Sequence, residues 1–318
     1  MEAVIETHGL RRFFKTRKRV VEAVAGVDLT VRSGEIFGFL GPNGAGKTTT
    51  LRMLATLMPP SGGSASVAGF DLSTQSDRIR DRIGYVGQAG GADREITGRR
   101  ELVFQGRLYG MSRQQAEKRA AELIAMLELE SCADRKGSTY SGGQKRRLDI
   151  GLGLVHDPQL LFLDEPTTGL DPQSRARVWD EVGRMHDRGT TVFLTTHYLD
   201  EADALCDRIA IIDYGKIVAE GTPEELKREV AGDVVTLAVA GDQQRALDLL
   251  KDQPFVREAK IDEGSVLLYV DRGEVTMPAI LRLLDGAGLT LLTIGLHRPS
   301  LDDVFLRQTG RSLRETAA

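Results

Sequence analysis

The chain has 318 residues, enough for about two domains with proper cores. With 41% hydrophobic and 28% charged residues and a mean hydropathy of −0.21, it is neither a disordered chain nor one with an apolar run near the roughly 20 residues that cross a bilayer. Forty-two basic against 46 acidic side chains give a net charge of −4, which offers no overall attraction to nucleic acid or anionic lipid.

In chain order, the opening MEAVIETHGL lacks the apolar core of a signal peptide. Residues 21–31 place Val21, Ala23, Val27, Leu29 and Val31 at even spacings with one break near Ala25, which predicts a half-buried strand. EIFGFL is continuously apolar after its first residue, as expected of a strand covered on both faces. It leads into a glycine-rich loop and a helix with Leu51, Leu54, Leu57 and Met58 on one side, stopped by Pro59-Pro60. Residues 113–130 read as an amphipathic helix carrying Ala116, Ala120, Leu123, Ile124 and Leu127 inward. A strand from Leu160 to Leu163, a helix over 173–187 with Trp179, Val182 and Met185 inward, and the strand TVFLTT follow. Such alternation predicts an α/β fold with a parallel sheet. Arg208 to Asp213 and Lys216 to Glu220 form a hairpin turned by Tyr214-Gly215. Thr222-Pro223-Glu224-Glu225 has the cap, first-turn proline and N3 glutamate of a helix start. From about 234 the order becomes βαββαβ, a ferredoxin-like arrangement, before a short helix that would bury Leu301, Val304 and Phe305. Cys132 and Cys206 lie far apart, outside any CxxC spacing, and fit buried thiols in a reducing cytoplasm.

Glycine is over-represented, at 35 of 318 residues. Gly41-Pro42-Asn43-Gly44-Ala45-Gly46-Lys47-Thr48 fits G-x-x-x-x-G-K-[ST] between an apolar strand and a helix. Glycines there let the backbone wrap phosphates, the helix N-terminus attracts their charge, Lys47 adds a mobile cation and Thr48 can ligate Mg²⁺. Leu160 to Leu163 delivers Asp164 and Glu165 at a strand end, where the first carboxylate suits Mg²⁺ and the second suits an attacking water. Tyr140-Ser141-Gly142-Gly143-Gln144 precedes a helical run and offers a second anion site without a lysine.

That last string resembles the LSGGQ signature of ATP-binding-cassette (ABC) ATPases, with Tyr140 in place of leucine. The resemblance covers about residues 3–225 and implies a P-loop cassette with a helical subdomain near 89–157, followed by an accessory α+β domain over 232–310. It carries nucleotide contacts onto Gly41, Asn43, Gly44, Ala45, Gly46, Lys47, Thr48 and Thr49, and onto Ser141, Gly142, Gly143 and Gln144. Gln88 matches the Q-loop glutamine, Asp171 the D-loop aspartate and His197 the switch histidine. It implies Thr48, Gln88 and Asp164 around Mg²⁺, with Glu165, His197, Lys47 and Gln88 as the catalytic set. Phe14 falls where the family stacks an aromatic on adenine, with Phe13 as the adjacent alternative and core packing as the bland one. The implied cofactors are ATP and Mg²⁺. The implied partners are a second copy, whose signature closes the site, and a separate permease on the inner face of the cell membrane.

Within the family, the single cassette, TTGLDPQSR, the tail of about 90 residues and LDDVFL look like the daunorubicin-resistance type of exporter ATPase. An importer ATPase is the alternative within transport, and its tail is more often a β-barrel. A non-transport ATPase acting on DNA or ribosomes is the other class. Its only support is the basic stretch Arg11 to Arg19, which reads better as a solvated surface turn near the adenine site, so no nucleic acid is expected.

Overall fold

The computed structural model describes residues 2–15, 20–230, 233–262, 264–297 and 300–309. The middle of the basic stretch, residues 16–19, lies outside them. So do 231–232 and the tail from Gly310. The chain divides into two compact units, Met1–Glu220 and one beginning at Gly221.

In the first unit, strands β1 (Ala3–Lys15) and β2 (Val20–Arg32) pair antiparallel, and β4 (Gly62–Val67) and β5 (Phe70–Asp71) extend them in the order β2-β1-β4-β5. The second sheet holds β3 (Ile36–Leu40), β6 (Ile83–Val86), β7 (Leu160–Asp164), β8 (Thr191–Thr196), β9 (Arg208–Asp213) and β10 (Lys216–Gly221), ordered β10-β9-β3-β8-β7-β6. Strands β9, β3, β8, β7 and β6 run parallel, so β3 and β7 are fully buried, as their unbroken apolar runs require. Between the sheets the Phe193 ring lies 5.6 Å from each of Phe37, Phe39 and Phe162. Each such aromatic pair contributes about 0.5–1.5 kcal/mol beyond area burial.

Strand β2 does not keep one alternation. Gly26 sits at φ 93 and the register with β1 slips between Leu10 and Arg11, so this bulge turns Val24 inward and leaves Val21 exposed and Ala23 half-buried. Helix α1 (Lys47–Leu54) ends well before the prolines, because Thr56 enters the left-handed region at φ 60 and Leu57 N–H reaches back to the Arg52 carbonyl. Leu57 is consequently 57% exposed, and only Met58 of the last two packs on the core.

Short helix α2 (Ser76–Arg80) is followed by the helical region α3 (Gly98–Leu108), α4 (Arg113–Met126) and α5 (Gly142–Leu154). Ser112 and Gln115 close a capping box on α4, and Ala116, Ala120, Leu123, Ile124 and Leu127 are buried as expected. Helix α6 (Pro172–Asp187) buries Val178 in place of Trp179, which is half-buried with its indole N–H on Glu201, while Val182 and Met185 do face inward. Helix α7 (Leu199–Leu205) follows β8, and both cysteines are buried and free.

The second unit opens with α8 (Pro223–Val230), where Thr222 and Glu225 bond reciprocally as the sequence required. Strand β11 (Asp233–Val239), α9 (Gln243–Leu250), β12 (Val256–Asp262), β13 (Ser265–Val270), α10 (Gly273–Gly286) and β14 (Leu291–His297) realise βαββαβ. The antiparallel order β12-β13-β11-β14 is the ferredoxin-like arrangement. Helix α11 (Leu301–Thr309) buries Leu301, Val304 and Phe305 and packs against α8.

Candidate functional site

Ligands of parallel α/β sheets gather beyond the strands' carboxyl ends. Here β3 runs into Gly41, β6 into Gln88, β7 into Glu165 and β8 into His197, so four neighbouring strands unload polar groups at one edge. The loop after β3 needs its glycines for space. A Cβ at Gly41 would strike the Ile212 carbonyl, and one at Gly46, held at φ 110, would strike the carbonyl of Ala23 on β2. Asn43 and Gly44 are exposed, Ala45 and Gly46 buried, and Thr48 and Thr49 half-buried in the first turn of α1. Buried Lys47 donates to the Gly41 and Pro42 carbonyls at 2.7 and 3.0 Å and lies 3.4 Å from Glu165 Oε1. Burial lowers its pKa against the raising effect of Glu165.

Asp164 is fully buried. Its Oδ1 accepts from Thr48 Oγ1 at 2.9 Å and Thr195 Oγ1 at 2.7 Å, while Oδ2 has no hydrogen-bond partner. A lone buried carboxylate oxygen beside a threonine hydroxyl fits Mg²⁺, a hard cation that keeps several waters and takes phosphate oxygens as further ligands. Among the described residues there is no cluster of three His, Cys, Asp or Glu side chains that could hold a metal ion.

Glu165 sits at φ 45, a strained position that turns its carboxylate off the end of β7. Gln88 Nε2 donates to its Oε2 at 3.1 Å, Thr168 Oγ1 donates at 3.2 Å, and His197 Nδ1 lies 3.4 Å away. Burial pushes this carboxyl's pKa up, but the His197 imidazole and the Lys47 ammonium outweigh it and bring the pKa down to about 2. Lys47, Gln88, Asp164, Glu165 and His197 thus share one site.

Ser141, Gly142, Gly143 and Gln144 do not join them. Ser141 and Gly142 are exposed at the start of α5, Ser141 forms a capping box with Gln144, and a Cβ at Gly143 would lie 2.8 Å from Ser174 Oγ. Among the described residues no hydrogen bond or ion pair ties this turn to Lys47, Thr48 or Thr49. Asp171 caps α6 next to it, its two oxygens accepting from Ser174 N and Oγ. Phe14 is half-buried, with the Arg12 guanidinium 5.1 Å from its ring, and pairs with Val21, two residues along β2 from the Ala23 carbonyl that touches the glycine loop. Phe13 points to the other face of β1.

Sequence reasoning missed the layer behind the site. Arg146, buried on α5, donates to the Pro166, Gly87 and Asp164 carbonyls at 2.7, 2.7 and 3.1 Å. Asp149, one turn on, accepts from Gly91 and Ala92 N–H. Glu201, wholly buried, accepts from Thr167 and Trp179, and burial raises its pKa. The string KRRLD carried no such signal, since its charges at 146, 147 and 149 fall within about 160° of the helix circumference, an arc that a solvated face can hold.

Residues 24–168 match the family model described as ABC transporter, and residues 221–309 match the C-terminal domain of DrrA1-3-like ATP-binding proteins. The chain is 46% identical to the daunorubicin/doxorubicin resistance ATP-binding protein DrrA of Streptomyces peucetius, over 98% of this chain and 96% of that one. To the Nod factor export ATP-binding protein I of Rhizobium sp. (strain N33) it is 38% identical over 99% of both. A dimeric, post-hydrolysis ATP-binding cassette bound to ADP and Pi superposes with a TM-score of 0.63 at 25% identity, covering 69% of this chain and 98% of that one. The chain belongs to the ATP-binding proteins of ABC transporters, with a C-terminal domain of the DrrA type.

Proposed function

We propose that two copies of this chain clasp two ATP molecules head to tail, each presenting Ser141 to Gln144 to nucleotide held in the other's Gly41 to Thr49 loop, and that the cycle drives a separate permease. The observation that carries this reading is the division of the site. Lys47, Gln88, Asp164, Glu165 and His197 converge, while the exposed signature turn ends a helix N-terminus that can bind phosphate but stands apart from them. Drug resistance and Nod factor export in the relatives' names support an exporter of hydrophobic, drug-like cargo over an importer, and favour a place on the inner membrane face through the permease. Among the described residues no helix is long and apolar enough to cross a membrane.

The residues then act as follows. Lys47 swings from the Gly41 and Pro42 carbonyls to the β- and γ-phosphates, and the loop N–H groups cradle the same oxygens. Asp164 and Thr48 would hold Mg²⁺, with Gln88 at its edge, and the ion would supply charge neutralisation at the transferred phosphoryl group. Once Lys47 leaves Glu165, that carboxylate's pKa rises toward its ordinary value, making it a better acceptor for the attacking water. Gln88 and His197 hold it in place, the partner's serine hydroxyl and glycine N–H groups stabilise charge on the γ-phosphate, and Phe14 stacks on adenine. Glu165→Gln keeps the shape and removes the base. That variant should run as a dimer with Mg-ATP in light scattering and lose at least about a hundredfold in turnover. Undiminished turnover, or a variant that stays monomeric at saturating Mg-ATP, would refute the reading.

A further inference from the structure

Hydrogen bonding does not fix the angle of the His197 ring. Its Nδ1 lies 3.4 Å from Glu165 Oε2, beyond a good N–H···O distance, and that buried nitrogen has no hydrogen-bond partner among the described residues. The ring rests instead on a stack. Its centre is 4.2 Å from that of the Tyr198 ring, at an interplanar angle of 40°, and the guanidinium carbon of Arg175 lies 4.1 Å from the centre of the same Tyr198 ring. The Tyr198 backbone is held separately, its N–H donating to Thr196 Oγ1 at 2.9 Å, so the stack is left to set the direction of the tyrosine ring.

Arg175 belongs to the first turn of α6, four residues after the Asp171 cap. Its Nη1 reaches Asp200 Oδ2 at 3.2 Å, but Asp200 is exposed and a pair of this kind is screened by solvent. Its Nε is buried without a hydrogen-bond partner, a cost that contact with the tyrosine face offsets. We propose that Arg175 is a positioning residue for hydrolysis: its guanidinium holds the Tyr198 ring against His197 and thereby fixes the angle at which the imidazole meets Glu165. The inference rests on the proposed function, which gives His197 the task of holding Glu165, and deepens it by tying that imidazole to α6. Ser174, the neighbouring residue on α6, lies against the signature turn, where a Cβ at Gly143 would come within 2.8 Å of its Oγ. A planar guanidinium suits this task because it lies flat on an aromatic face, which an ammonium does not. Arg175 also lends its charge to buried Glu201, a role in stability that Tyr198 does not share.

In the full chain with Mg-ATP, at a temperature where each variant is folded, Arg175→Gln and Tyr198→Leu should each lower kcat about tenfold. KM for ATP should stay within about twofold, because the imidazole angle bears on the attacking water and not on nucleotide binding. Tyr198→Phe keeps the ring and should turn over as the native protein does, whereas Arg175→Lys keeps only the charge and should fall with Arg175→Gln. Combining Arg175→Gln with Tyr198→Leu should cost no more than the slower single variant, since both cut one path. A readout without turnover is the ring C–H resonance of His197, identified among the five histidines by its loss in His197→Ala. Arg175→Gln should move that resonance toward its position in Tyr198→Leu. Full turnover in Arg175→Gln, native turnover in Arg175→Lys, a double variant whose losses multiply, or a rise in KM that matches the fall in kcat would overturn the proposal. An unmoved His197 resonance beside an inactive His197→Ala would overturn it alone, leaving the ATP clasp standing. A His197→Ala protein at native turnover would defeat the role given to His197 and this inference with it.

Discussion

Arg146→Lys tests whether the layer behind the site holds it in shape. The guanidinium spans three carbonyls with three nitrogens, and a lysine at the same place keeps the charge but carries all its N–H donors on one nitrogen that cannot reach three separated carbonyls, so about two bonds are lost. Hydrogen bonds from a charged group are worth about 1.5–3 kcal/mol each, which gives about 3–6 kcal/mol, with the low end expected after relaxation. For a unit of this size 1 kcal/mol moves Tm by about 2–4 °C, so 3 kcal/mol predicts a fall of about 10 °C in thermal unfolding followed by circular dichroism. Two of the three carbonyls are site backbone: Gly87 precedes Gln88, and Asp164 precedes Glu165. At a temperature where the variant is folded, kcat should therefore fall about tenfold, with a smaller change in ATP affinity. Arg147→Lys is the control. Its side chain serves Leu127 and Glu128, away from the site, and from one nitrogen that lysine can replace. An Arg146→Lys protein melting within about 2 °C of the native one at full turnover would refute the argument, as would equal loss of turnover in Arg147→Lys.

Gly46→Ala meets both a left-handed φ and the Ala23 carbonyl, so it should abolish ATP binding in a fluorescent-nucleotide titration, whereas Gly44→Ala, at φ 81 with open space, should cost only about 1–2 kcal/mol of stability. Equal effects of the two would show that contact with β2 does not shape the loop. Glu165 has a depressed pKa, so its contribution to stability is present above its ordinary 4.5 and is lost as pH falls toward about 2. Some 2.5 pH units correspond to about 3 kcal/mol, of which about 2 is gone by about pH 3. The urea-unfolding free energies of the native protein and Glu165→Gln should converge by that amount between neutral pH and about pH 3, and a constant gap would contradict the charge balance.

The parallel sheet, the glycine loop and the βαββαβ tail were legible because each is written locally, as an apolar run, a fixed glycine spacing or a strand-helix alternation. Convergence of Gln88, Glu165 and His197 was legible only through the motif order, since nothing local in TTH or GYVGQ says that β6, β7 and β8 lie side by side. Val21 and Leu57 went wrong for one reason, a positive φ at Gly26 and Thr56 that interrupts the periodicity on which the reading depends. Strand β1 escaped because Arg11, Arg12, Phe13 and Phe14 blur its alternation, and it is irregular in the structure too, with register shifts against both neighbours. Arg146, Asp149 and Glu201 escaped because a buried charge is justified by partners far away in sequence.

Helix α5 serves two roles at its two ends. Ser141 begins it, facing outward, and Arg146 sits five residues on, about 7.5 Å along the axis, gripping the backbone of Gly87 and Asp164. If Ser141 closes on nucleotide held by the other copy, force applied there reaches the Gln88 and Glu165 of its own site through less than two turns of hydrogen-bonded helix. The two sites would then be coupled by a rigid element with one end in each, which is the physical content that cooperativity needs. Arg146→Lys should accordingly bring the Hill coefficient for ATP hydrolysis toward one while Glu165 still turns over, and Arg147→Lys should leave it as in the native protein. An Arg146→Lys enzyme that is slower but equally cooperative would place the coupling elsewhere, with the Asp171 cap of α6, which lies against the same signature turn, as the next element to cut.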